Sequence, residues 1–280
     1  MMKISVIVPT YNEQGTIASC IDSLLKQTIS FEIIMVDDGS FDKTFEYASA
    51  LVAAHPNITS LKQSHRGPGA ARNNGARIAK GDILVFVDAD MTFDRDFIQL
   101  LVAPIQKGIV AGTFTREEYV ANWENVWARC WNYNQNLGNS RRLPQNYPQK
   151  APVFRAILTK EFRRVKGYTE GVGWTDDWTL SRKLGYSATA TNALCYHTNP
   201  ESLRDVYEHA HWVGKNEFFT KNLPVVFFNL IRFNPLFSII IGLYKSIRFF
   251  CPQFFLFKII YSGAIGISLI MVLFGGHKNK

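Results

Sequence analysis

Four apolar runs punctuate the first part of this 280-residue chain: Ile4 to Pro9 (ISVIVP), Phe31 to Val36 (FEIIMV), a weaker run near Ile58 to Leu61, and Ile83 to Val87 (ILVFV). Each is too short for a helix and shows no polar alternation, the pattern of a strand covered on both faces. Between them lie segments with helical spacing. The first, from about Gly15 to Lys26, places Ile17, Cys20, Ile21, Leu24 and Leu25 on one side; the others span about Lys43 to His55 and Ala70 to Ala79. A βαβαβαβ series of this kind predicts an α/β fold, a Rossmann-like, doubly wound and mostly parallel sheet with right-handed crossovers.

The fourth run ends in Asp88-Ala89-Asp90. An Asp-Ala-Asp triplet cannot extend a covered strand without burying a carboxylate, which is costly when unpaired. The strand therefore ends there, and both acids face something positive, a divalent cation and the group it carries. In open α/β sheets ligands bind at the carboxyl ends of the strands. There the first strand delivers Pro9, Tyr11 and Glu13, and the second delivers Asp37, Asp38 and Ser40. The first strand–helix turn reads PTYNEQG, neither GxGxxG nor GxxxxGK[ST], which disfavours a dinucleotide oxidoreductase or a P-loop NTPase. A nucleotide held by base and ribose, its diphosphate neutralised by a metal, needs acids and no glycine cradle.

From about Ala111 to Tyr196 the pattern loosens and aromatic residues gather. Tyr119, Trp123, Trp127 and Trp131 recur every four residues, as a stripe on one helix face would. Such a stripe either packs into a core or forms a wall that receives an apolar acceptor or touches lipid headgroups. Asn139 to Pro152 reads as a loop. With 47% hydrophobic residues the chain can bury a sizeable core, and its formal charge of +8 is concentrated late. Lys215, Lys221, Arg232, Lys245, Arg248 and Lys258 face a single acid, Glu217, and are interleaved with Phe, Ile and Leu. That suits an anionic membrane surface better than nucleic acid. Val225 to Phe250, apolar but interrupted, fits an in-plane helix, and Ile259 to Gly276 is long enough to span, with a buried core helix as the other reading. The basic residues before it place the preceding part on the cytoplasmic side; His277 to Lys280 is basic too, and a helical hairpin with the upstream apolar segment would return it to the same side. Cys20, Cys130, Cys195 and Cys251 have no metal-ligand spacing and read as core residues of a reducing compartment. The run after Lys3 is too short for a secretory signal.

Taken in order, SVIVPTYNE, VDDGS, GPGAARNNGARIAKGD, FVDAD and GWTDDWTLSRKLGY resemble glycosyltransferase family 2, over roughly residues 3 to 200. The resemblance implies a GT-A fold and inverting sugar transfer from a nucleotide-diphosphate sugar, a UDP-sugar by default. It gives a glycosyltransferase domain over 1–205, with a nucleotide-sugar half (1–110) and an acceptor half (111–205), followed by a membrane-association region (206–280) with its candidate span at 259–276. Pro9, Tyr11 and Glu13 resemble the base-contacting first loop and Asp38 the nucleobase acid. Arg72 resembles the basic residue near base and diphosphate. Asp88 resembles the first acid of the DXD motif, nearer the ribose, and Asp90 the second, which binds Mn²⁺ or Mg²⁺. His197 matches a position used by some members as a further metal ligand; His65 and Arg66 sit where they can touch the diphosphate.

Inversion needs a carboxylate to take the acceptor hydroxyl's proton. Asp177 aligns with the family's catalytic Asp; Asp176, replacing the usual Glu, is the second candidate, and an N-cap role is the structural alternative. Lys183 takes the place of the family's Arg. Lys166 to Glu170 (KGYTE) stands where the family has GGFDE, a lysine replacing the first glycine. The Q-x-x-R-W element of processive members is missing after the Asp pair, which implies single-sugar transfer. The acceptor expected is lipid-linked or a membrane-proximal glycan of the cell envelope. Two rival readings are a soluble transferase acting on a protein or small molecule, and a non-catalytic sugar-nucleotide-binding scaffold.

Overall fold

The computed structural model describes residues 2–171, 176–216 and 223–273. They form two compact units, one built from Met1–Tyr119 and Gln145–His197, the other from Val120–Pro144 and Thr198–Asn279.

The first unit opens with the expected alternation: β1 (Ile4–Thr10), α1 (Ile17–Leu25), β2 (Glu32–Asp37), α2 (Thr44–Ala54), β3 (Ile58–Lys62), α3 (Pro68–Ile78) and β4 (Ile83–Phe86). β1 pairs in parallel with β2 and β4, and β2 with β3. Ile17, Cys20, Ile21 and Leu24 of α1 are buried against the sheet, as their spacing requires. α3 starts after Gly67, held at a φ of +90°, with Pro68 in its first turn, a position that has no use for a backbone N–H. Its Gly75 lies so close to β1 that an added Cβ would come within 2.7 Å of Ile7. This close approach seats α3, and with it Arg72, directly on the sheet.

β4 stops at Phe86, before the two acids. Beyond it come β5 (Met91–Phe93), α4 (Phe97–Gln106), β6 (Gly112–Val120), α5 (Val126–Asn134) of the second unit, β7 (Lys150–Ala151), β8 (Ala156–Leu158), α6 (Thr159–Arg164), α7 (Asp176–Leu184) and β9 (Ala188–His197). The sheet order is β3-β2-β1-β4-β8-β6-β9-β5, with β7 also on β9. The strands added after β4 pair antiparallel: β8 with β4 and β6, and β9 with β5 and β7. The parallel half is thus the one the sequence spells out, and the antiparallel extension carries its less regular part. Gln145 to Gln149 is irregular, and β7 takes up the end of the expected loop.

The second unit is helical: α5, α8 (Leu203–Asn216), α9 (Leu223–Arg232), α10 (Pro235–Arg248) and α11 (Gln253–Leu273). The four-residue aromatic stripe does not lie on one helix. Tyr119 belongs to β6, Trp123 to the turn that follows, and only Trp127 and Trp131 to α5. Asn125 sets the boundary, its side chain accepting from the backbone N–H groups of Trp127 and Ala128, an N-cap. Trp123, Trp127 and Trp131 pack against a core of Cys130, Tyr133, Val206, Cys251, Phe254 and Phe257, the core reading of the stripe. At the other end of α5, Lys245 of α10 donates to the carbonyls of Tyr133 and Asn134, satisfying orphan acceptors of the last turn.

The expected in-plane segment is two helices, separated because Asn234 caps α10 and Pro235 begins it. α11 is apolar over Gln253–Met271 and long enough to cross a bilayer by length and composition. One face, with Phe254, Phe257, Ala264, Ile265 and Leu269, is buried, while Leu256, Ile267, Ile270 and Met271 are exposed. It begins before the expected 259–276 segment and includes Lys258; residues 274–276 lie outside the described part. All four cysteines are free and buried.

Candidate active site

Seven charged or titratable side chains of the first unit form a continuous row at the carboxyl ends of the strands. Arg72, 5% exposed on α3, donates through Nη1 to Asp177 Oδ1 and through Nη2 to Asp88 Oδ1, both at 2.8 Å. The other oxygen of Asp88 accepts from Arg155 Nη1 at 2.8 Å. Arg155 Nη2 lies 3.7 Å from Glu118, whose second oxygen is 3.5 Å from His197 Nε2. His197 Nδ1 in turn lies 3.9 Å from Asp90 Oδ1. The row thus joins the two strand-end acids to Asp177 on the first turn of α7. Asp176 begins the same helix.

This row separates the two acids that the Asp-Ala-Asp triplet leaves together. Burial would raise Asp88, but Arg155 and then Arg72 overcome it and hold the carboxyl well below the usual carboxylate range. Both its oxygens are committed to guanidinium groups. Asp90 faces His197 instead, its Oδ1 3.9 Å from Nδ1, and these two side chains would hold a divalent cation. Glu118 lies on the far side of the imidazole, the arrangement by which a carboxylate fixes a metal-binding histidine. Glu118, Cys195 and His197 also bring potential ligand atoms within 4.8 Å of one another. A carboxylate and an imidazole, with a second carboxylate 3.5 Å beyond the ring, fit a divalent cation.

Glu13 reports the same excess of negative charge. Burial first, then the carboxylate of Asp90, with Asp88 adding, push it up to about 8 against the hydrogen bond from Thr16. A carboxyl raised in the folded state favours folding while both states are protonated. That contribution is lost as pH rises through the folded value, because the unfolded chain ionises first. Metal-free protein should therefore lose thermal stability between pH 4.5 and about 8 by an increment that Glu13→Gln removes, measured as Tm against pH for both proteins. Parallel curves would refute this reading of Glu13.

On the nucleotide side, Tyr11 is partly exposed and stacked on His65, ring centroids 4.0 Å apart. Asp38 is buried, and its oxygens accept from Gln63 Nε2 and from the backbone N–H groups of Arg66 and Gly67. Asp38 therefore fixes the loop that carries His65 and Arg66. Arg66 pairs with Glu170, and Pro9 lies in β1 beside Val36. The KGYTE turn forms despite its missing glycine. Lys166 takes a left-handed φ of +58°, followed by Gly167 at +65°. A Cβ on Gly167 would fall 2.3 Å from Asn73 Oδ1. Asn73 bonds the turn through Tyr168 N–H and O, and Lys183 donates to Gly167 O. Arg155, Glu118 and Gln63 are the members that sequence reasoning missed; none stands in a motif.

A family model, that of glycosyl transferase family 2, matches residues 5–165. The chain belongs to this family. Among curated relatives of this family 2 chain, chondroitin synthase of Escherichia coli is 24% identical over 227 residues, covering 76% of the chain and 32% of that protein. The poly(ribitol-phosphate) β-glucosyltransferase of Bacillus spizizenii is 39% identical over 94 residues, covering 32% of the chain and 15% of that protein. The chain thus spans a third or less of the length of these relatives. Among solved structures, S. aureus TarS 1–349 in complex with UDP-GlcNAc matches with a TM-score of 0.57 at 17% identity, over 99% of this chain and 93% of that one. The mannosyltransferase PcManGT of Pyrobaculum calidifontis, in complex with GDP-Man and Mn²⁺, gives 0.56 at 20%, over 98% and 79%. These structures share the fold.

Proposed function

We propose that the chain is an inverting glycosyltransferase that moves one sugar from a nucleotide-diphosphate sugar to a hydroxyl of a lipid-linked or membrane-proximal glycan acceptor. The observation that carries this reading is the double grip of Arg72, which ties the donor-side acid Asp88 to Asp177. Tyr11 and His65 offer a flat surface for a nucleobase, with Pro9 and the loop fixed by Asp38 beside it. Asp88 is oriented by two arginines toward the ribose. Asp90 and His197 would hold Mn²⁺ or Mg²⁺, which when bound offsets the charge growing on the leaving diphosphate. Asp177 is the general base and Asp176 the second candidate. The donor class is supported by UDP-GlcNAc in TarS and GDP-Man in PcManGT.

Membrane attachment, on the cytoplasmic face, is assigned to the C-terminal helices. Phe227 and Phe228 of α9, and Leu236, Ile240 and Ile247 of α10, are each more than 60% exposed, as is Phe250 just beyond. Exposed Arg232 and Arg248 accompany them. Apolar residues facing solvent with cations alongside are what an interfacial helix offers an anionic bilayer.

A single experiment tests both parts. The purified chain is floated with vesicles made of anionic lipid and bearing an extracted lipid-linked acceptor, in the presence of Mn²⁺ and labelled UDP-, GDP- or dTDP-sugar. Protein and label should both rise with the vesicles, and EDTA should abolish labelling without releasing protein. Protein that stays at the bottom refutes attachment; floated protein that transfers no label from any donor refutes the proposed reaction.

A further inference from the structure

A groove of about 550 Å³ runs along the outer side of α3, on the side of the helix away from Arg72. Arg66, Arg77, Arg163 and Lys166 line it, and among the described lining residues the carboxylate is that of Glu170, already engaged by Arg66. Arg77 donates one N–H to Asn74 Oδ1 and Arg163 one to the carbonyl of Ala79. Each guanidinium is steadied in this way and keeps further donors for a ligand, since a guanidinium has five. All four cationic side chains remain exposed. Clustered guanidinium groups match the geometry of phosphate oxygens better than that of any neutral sugar.

A second observation lies in the backbone. Among the described residues, Lys166 is one of four non-glycine residues with positive φ, a conformation glycine takes freely and lysine rarely. Glycine stands at this position in the family pattern that KGYTE resembles. A residue held in an unfavourable conformation, where a glycine would sit without strain, points to a use for its side chain. Here that use is a fourth cation at the mouth of the groove.

We propose that this groove binds a phosphate group carried by the acceptor, away from the hydroxyl that reacts. The inference rests on the glycosyltransferase reading and adds the chemical class of the acceptor. One turn borders both places. Thr169 N–H bonds Thr179 on α7, the helix that bears Asp177, while Lys166 three residues earlier lines the groove. From this turn the groove follows α3 to Arg77 and Arg163 at the carboxyl end of the helix, so an acceptor with its hydroxyl at Asp177 would pass the turn and run along the helix to lay a phosphate there.

The test uses the full chain with UDP and Mn²⁺ saturating the donor site, and a fluorescently labelled glycerol-phosphate oligomer as probe, read by anisotropy. Arg77→Ser/Arg163→Ser should weaken the oligomer about tenfold or more, the size of losing charge-assisted contacts. Lys166→Gly should weaken it severalfold while raising Tm, because the strained lysine is gone. UDP affinity, measured by calorimetry, should stay unchanged in both variants. Oligomer affinity that survives in both variants overturns the proposal, as does a Lys166→Gly protein that loses Tm along with affinity. Inorganic phosphate that displaces the oligomer at equal phosphate concentration makes the site one for the free anion and overturns the acceptor assignment. Failure of UDP to bind the unaltered chain sinks the donor reading instead, a result separable from all of these.

Discussion

Asp177→Asn is expected to slow sugar transfer by roughly 10²- to 10⁴-fold, the range a positioned general base supplies, while donor affinity stays within about twofold. Asparagine has the same shape and keeps an oxygen for Arg72 Nη1, which now lies 2.8 Å from Asp177 Oδ1. The row of charges and the start of α7 should therefore survive, and what disappears is the ability to take a proton. Transfer of labelled sugar and calorimetric binding of the donor, measured on the same preparation, separate the two effects. Asp176→Asn serves as the control. If it costs more than Asp177→Asn, the base is Asp176; if neither slows transfer, no carboxylate at the start of α7 is the base.

The second large effect is on folding. Arg155→Leu removes a buried guanidinium that lies between Asp88 and Glu118. Breaking a buried ion pair by deleting one partner costs about 3–5 kcal/mol, because the remaining charges keep their desolvation penalty. Asp88 retains Arg72 and keeps about a third of its side chain open, 32%, so roughly 2–4 kcal/mol is the expected loss, measured by urea unfolding. Adding Asp88→Asn to Arg155→Leu should return part of that loss, since the uncompensated charge is gone. A double variant no more stable than Arg155→Leu alone would show that Arg155 acts through packing, with its charge irrelevant.

Why the sequence could announce Asp88 and not Arg155 has a physical answer. The parallel half of the sheet is made of short local units, each strand followed by the helix that covers it, so period and length reveal it. Asp88, Asp90 and Asp38 stand at the ends of such strands, where chemistry is expected. Arg155 instead follows β7, a strand of two residues, and meets Asp88 only because β8 lies antiparallel on β4. Glu118 is one acid among others on a long strand, selected by its neighbour His197 through the sheet order. Nothing local marks either one. The aromatic stripe shows the opposite error: a spacing of four was real, but a strand end, a turn and a capping asparagine shared it. The C-terminal helices were legible in length and apolarity, while the face each turns to solvent depends on Lys245 and the Trp residues of α5.

β5 is three residues long and is the last strand of the sheet, held on one side by β9. The register that seats it sets Met91 opposite His197, so the residue just before the strand, Asp90, meets that imidazole only while the final rungs are closed. Met91 and Phe93 are buried in the core of the first unit, so packing holds the strand along with its pairing. On the proposed role of Asp90 and His197, a cation that joins them would also fasten the sheet's last strand to its neighbour, so that binding it should stabilise this edge.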